Sequence, residues 1–201
     1  YAAAFSWAYI QLDAASGALL LFAAVQVSML GIGLLRGERL SAAQTAGFAL
    51  ALVGLAALLA PGASAPPVLP AISMLSAGVA WGLYSLRGRG AADPLAATAG
   101  NFARAVPLTL ILSLITLPWL MVDLGGALYA LASGALTSGL GYVVWNRVSP
   151  ALGLATLATV QLATPLVAAL GGVALLDEAV TRELVVSGAL IVAGIAMTLR
   201  R

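Results

Sequence analysis

Residues 14–35, AASGALLLFAAVQVSMLGIGLL, carry no charged side chain and are apolar except at Ser16, Gln26 and Ser28. A helix needs roughly 20 such residues to cross the hydrocarbon core of a bilayer. Lipid offers no partner to an unpaired backbone N–H or C=O, so only helices and closed barrels span it. The stretch lacks the alternation of a barrel strand. It predicts a membrane-spanning helix.

The rest of the chain follows the same pattern. Runs between charges and Pro/Gly clusters give eight segments: 1–11, 14–35, 42–60, 68–86, 98–121, 126–147, 152–176 and 183–199, the first short enough to be the tail of a helix. Of 201 residues, 62% are apolar and 8% charged, and the mean hydropathy is +1.08. A soluble domain carries about 25% charged residues because its surface faces water. This chain cannot solvate such a surface. It has no cysteine and no histidine, which removes disulfides, thiolate chemistry, and the commonest general base and metal ligand. No cofactor or metal site is expected. The net charge of +2 is too small to suggest nucleic acid as a partner. The chain opens at Tyr1 inside an apolar run, so the natural N-terminus is expected upstream.

Arginines in the connections set an orientation. With alternating sides, Arg36, Arg39, Arg87, Arg89, Arg147, Arg200 and Arg201 gather on one face and Arg182 stands on the other, with Arg104 inside a segment. Positive charge in short loops prefers the cytoplasm. The C-terminus is therefore expected in the cytoplasm, and the connection around Pro61, Pro66, Pro67 and Pro70 outside.

An offset of 140 aligns residues 1–60 with 141–200 without a gap. Leu30-Gly31 falls on Leu170-Gly171, Leu35 on Leu175, Glu38 on Glu178 and Gly54 on Gly194. The segment 152–176 is the fifth after 14–35, so the two copies cross in opposite directions. Such inverted repeats are a frequent construction of secondary transporters. Residues 61–140 precede the matched part of the second copy, and their counterpart in the first is expected to be missing.

Gly37-Glu38-Arg39-Leu40 between two helices, then Gly47 and Gly54, and in the second copy Gly141-Tyr142-Val143-Val144-Trp145-Asn146, Thr164-Pro165, Glu178 and Gly194, resemble the EamA-type branch of the drug/metabolite transporter superfamily. The resemblance covers the chain from the third helix of ten onward. The second copy departs from the pattern at Asp177, where the family usually has glycine, and at Ala179-Val180. The implied fold is an all-α membrane protein, a multi-spanning helix bundle of two inverted-topology five-helix repeats, the first truncated. Residues 1–60 would form the end of helix 3 and helices 4–5, and residues 61–201 helices 6–10. The implied setting is a bacterial inner membrane, with a small-molecule substrate, a lipid surround and a homodimer allowed.

Candidate residues divide between functional and structural readings. Gln26 and Gln161 are mid-helix amides that must face the bundle interior, as helix-to-helix contacts or as substrate lining. Pro165, near the centre of its segment, removes a helix hydrogen bond and is a candidate hinge, with Thr164 beside it. Trp81 and Tyr84, like Tyr142 and Trp145, are interface anchors or walls of an aromatic vestibule. Arg104 snorkels to the headgroups or faces a substrate carboxylate. Ser138 is a lining candidate and shares small-xxx-small spacing with Gly134, as Gly78 does with Gly82, a pattern that lets helices approach closely. Glu38 and Glu178 are gating groups or acids that stabilise the following helix.

No Gly-rich loop ending in Lys-Ser/Thr supports ATP-driven transport, and no acid lies mid-span for a proton relay. The expectation is a secondary transporter that exports or exchanges an amino acid or related amphipathic metabolite by alternating access. A lipid-modifying membrane enzyme and a channel-like or structural subunit are the alternatives, and the inverted repeat favours the carrier.

Overall fold

A computed structural model describes residues 1–199, so Arg200 and Arg201 of the arginine pattern lie outside the described residues. Among the described residues every regular element is helical. They are α1 (Ala2–Tyr9), α2 (Ala14–Leu35), α3 (Ala42–Leu59), α4 (Val68–Gly88), α5 (Pro94–Thr116), α6 (Leu124–Ala132), a π-helical stretch (Ser133–Leu140), α7 (Gly141–Val148), α8 (Leu154–Val160), α9 (Ala163–Leu176) and α10 (Arg182–Thr198). Six stretches are long and apolar enough to cross a membrane: α2, α3 with its final turn, α4, α5 with its final turn, α6 through α7, and α8 with α9.

The helix starts follow side-chain chemistry. The first N–H groups of a helix lack internal partners, and short polar side chains supply them. Asp13 accepts from Ser16 N–H at 2.7 Å. Ser41 and Gln44 form a reciprocal capping box at the start of α3. Asp93 accepts from the N–H groups of Leu95 and Ala96, both at 3.0 Å. It thereby starts α5 at Pro94, four residues before the apolar run expected from Thr98. Glu38 and Glu178 lie in the connections ahead of α3 and α10, whose first turns hold no acid and Glu183 respectively.

The chain forms two compact units, Tyr1–Tyr84 with the chain from Leu152 on, and Ser85–Ala151. In the first, α3 and α10 lie against each other through small residues. A Cβ on Gly47 would fall 2.6 Å from the Gly194 carbonyl, one on Gly54 would fall 2.9 Å from Ile191 and from the Ser187 carbonyl, and one on Gly194 would meet Gly47 and Ala51. Contacts on α10 descend as those on α3 ascend, so the two helices run antiparallel. The offset of 140 equates Gly47 with Ser187, Ala51 with Ile191, and Gly54 with Gly194. Each contact is thus returned by its equivalent, as a two-fold relation between inverted copies requires. The turns after the equivalent helices agree as well, with Gly37 at φ 86° and Asp177 at φ 53°, both left-handed.

In the second unit, Asn146 Nδ2 donates to Thr98 Oγ1 at 3.1 Å, and Trp145 Nε1 donates to the buried Ser85 hydroxyl at 3.3 Å. The C-terminal half of α5 exposes Leu108, Leu110, Ile111, Leu114 and Ile115, as a helix facing lipid does.

Candidate functional site

The segment 152–176 is broken between α8 and α9, and Pro165 accounts for the break. Proline has no N–H and its ring crowds the carbonyl four residues back, here that of Gln161. The Gln161 carbonyl accepts instead from Thr164 N–H at 3.1 Å, while Gln161 N–H turns to Ala158 O at 3.3 Å and Leu162 N–H to Thr159 O at 3.0 Å. The helix tightens over this turn. Pro165 itself sits third in α9, where a missing N–H costs little.

Two amide side chains repair the tightened turn. The Leu157 carbonyl, deprived of Gln161 N–H, accepts from Gln161 Nε2 at 3.2 Å. From α2, Gln26 Nε2 donates to the Ala158 carbonyl at 2.9 Å. In a lipid-facing protein a buried polar group without a partner is costly, and the break would otherwise leave several. Gln26 and Gln161 are 2% and 6% exposed. Gln161 Nε2 also approaches Met29 Sδ at 3.0 Å, and its Oε1 accepts from Trp81 Nε1 at 2.5 Å.

Trp81 reaches Gln161 because α4 lies close to α2. A Cβ on Gly78 would fall 2.6 Å from Ala24 Cβ, and one on Gly82 would strike the Ser28 hydroxyl. The Trp81 ring stacks on Tyr84, centroids 5.4 Å apart at 25°, and Tyr1 lies 5.4 Å from it at 43°. The structure thus gathers four expected residues, Gln26, Trp81, Tyr84 and Gln161, around a helix break. None of the four side chains carries a charge.

Thr164, beside Pro165, is exposed. Ser138, Tyr142 and Arg104 belong to the other compact unit. There Tyr142 lies 5.9 Å from Phe102, and half-buried Ser138 sits in the π-helical stretch. Arg104 is exposed in the middle of α5, deeper in the helix than the boundary at Thr98 implied, with its guanidinium turned back toward Gly100. Met29 and Tyr1 were not anticipated. A methionine in an apolar helix carries no signal of such a role, and Tyr1 is one aromatic residue in the short apolar run 1–11, with no spacing that singles it out.

Outside the spans, Asp13 links two connections. Its carboxylate accepts from the Ser64 hydroxyl at 2.6 Å and the Ser16 hydroxyl at 2.9 Å. These bonds and that from Ser16 N–H, the Ser64 hydroxyl foremost, lower its pKa to about 2.

Residues 68–200 match the EamA-like transporter family. An uncharacterized protein of Pseudomonas aeruginosa is 54% identical over 199 residues, spanning 99% of this chain and 69% of that protein. A crystal structure of a protein aligns with a TM-score of 0.84 at 24% identity, covering 98% of this chain and 72% of that one. The latter likeness concerns the fold.

Proposed function

The chain belongs to the EamA-like transporter family, and on that premise we propose that it exports or exchanges an amino acid or related amphipathic metabolite by alternating access. The helix break at Gln161 carries this reading. Broken helices near the midplane are where secondary transporters place substrate sites, and here two amides and two stacked aromatic rings converge on one. Such a lining buries an apolar body and orients it through a few hydrogen bonds. The four side chains that form it are uncharged, whereas the anionic oxygens of a sugar phosphate or nucleotide call for a cluster of cations.

The setting proposed is a bacterial inner membrane. Its test is counterflow in proteoliposomes containing the protein, with labelled neutral amino acids and sugar phosphates offered side by side. Exchange of the amino acids supports the reading. Preference for the phosphates, or no transport beside a measurable lipid-modifying activity, overturns it.

A further inference from the structure

The amide of Gln26 has one fixed and one open end. Its Nε2 must face the Ala158 carbonyl, which can only accept, and the bond is 2.9 Å long. That assignment turns Oε1 the other way, where it is buried with no hydrogen-bond partner among the described residues. The neighbouring amide of Gln161 is fully engaged, its oxygen by Trp81 and its nitrogen by Leu157 and Met29. The open polar atom of the cluster is therefore an acceptor. A buried acceptor left unmet costs more than a made hydrogen bond returns, so a visiting donor is selected there and a visiting acceptor repelled. We infer that Gln26 Oε1 is a specificity-determining contact that accepts a hydrogen bond from an N–H of the transported compound.

This inference rests on the transport reading and deepens it. It commits to substrates bearing a primary ammonium or another N–H, and not merely a positive charge. Trp81 and Tyr84 offer ring faces on which any cation can rest, so charge alone does not test it. Leucine and its N,N,N-trimethyl derivative share charge and apolar body but differ in N–H. Counterflow of the two is measured on the wild-type protein and on Gln26→Met and Gln26→Glu in proteoliposomes. Met loses the donor to Ala158, whereas a buried Glu favours its protonated form, whose O–H can replace that donor while the other oxygen still accepts. Glu keeps an acceptor oxygen and Met, of similar volume, does not. The ratio of the two rates is independent of how much protein has folded.

The wild type is expected to favour leucine by about tenfold, the worth of a single net hydrogen bond. Gln26→Glu keeps that preference, and Gln26→Met lowers it by about tenfold. Equal rates in the wild type, an unchanged ratio in Gln26→Met, or loss of the preference in Gln26→Glu overturns the inference while leaving transport intact. Counterflow of neither compound by the wild type overturns the transport reading and this inference with it.

Discussion

At the scale of single residues, the two equivalent turns offer a natural comparison. Gly37 and Asp177 both end a helix in the left-handed region, which costs an ordinary L residue about 1 kcal/mol and glycine almost nothing. Asp177→Gly should therefore raise stability by about 0.5 kcal/mol, after the added freedom of glycine in the unfolded chain is offset. Thermal unfolding in detergent checks this, and a lowered midpoint would refute it. Asp13 gives a prediction in pH. Its folded pKa, about 2, lies below the ordinary carboxylate value near 4. The unfolded chain therefore binds the proton more readily, and the carboxylate's contribution is full above about pH 4 and fades as pH falls through 2. Asp13→Asn should flatten the acid side of the unfolding profile between those values, and an unchanged profile would sink the idea.

At the scale of elements, glycines at close approach and glycines in open space make opposite predictions. Gly47 has the Gly194 carbonyl where its Cβ would be, and Gly31 has nothing within 4 Å. Gly47→Val should force α3 and α10 apart and destabilise the protein by about 1–3 kcal/mol. Gly31→Ala, inside a helix, should stabilise it by about 0.5–1 kcal/mol. Unfolding midpoints that move together would contradict the seam. The break between α8 and α9 concerns motion. If Pro165 serves as a hinge, Pro165→Ala restores a donor for the Gln161 carbonyl and should leave the protein folded but slow in exchange. Undiminished exchange would return Pro165 to packing.

The sequence carried these elements unevenly. The proline was visible, but the break lies upstream of it, because the ring acts on the carbonyl of Gln161 and not on its own turn. The Ser41-x-x-Gln44 spacing is a capping-box pattern, and Asp93-Pro94 is an N-cap followed by the favoured first helical residue. Both starts were there to be read, although an apolar-run count passes over them. The π-helical stretch Ser133–Leu140 left no such trace, since its mix of small, apolar and hydroxyl residues, SGALTSGL, carries no proline and no cap pattern that marks a change of helix type. Gln26 and Gln161 were legible as buried amides. That their targets are backbone carbonyls of one turn was not, because the pairing needs α2 and α8 side by side.

At the scale of the whole molecule, low charge and long apolar runs decide the class, and the inverted repeat decides the architecture. The offset of 140 rested on a handful of glycine and glutamate matches. It is answered by reciprocal contacts between α3 and α10 that the matches alone could not show. Orientation belongs to this scale too, because it depends on every connection at once. If successive spans alternate in direction, the element order assigns the ends of α2, α4 and α7 and the starts of α3, α5 and α8 to one side of the membrane. Arg36, Arg39, Arg87, Arg89 and Arg147 sit at those junctions, and Arg182 stands alone at the start of α10. Lysines and arginines in short loops stay on the cytoplasmic side of the membrane, so that face is proposed as cytoplasmic and the turn holding Ser64 as external. A reporter active only in the cytoplasm should work when fused after Arg201 or inserted near Gly88, and be silent near Ser64. Activity at Ser64 with silence at the other two would invert the orientation. Activity at all three would break the alternation of spans, and with it the antiparallel relation of the two copies on which alternating access is argued.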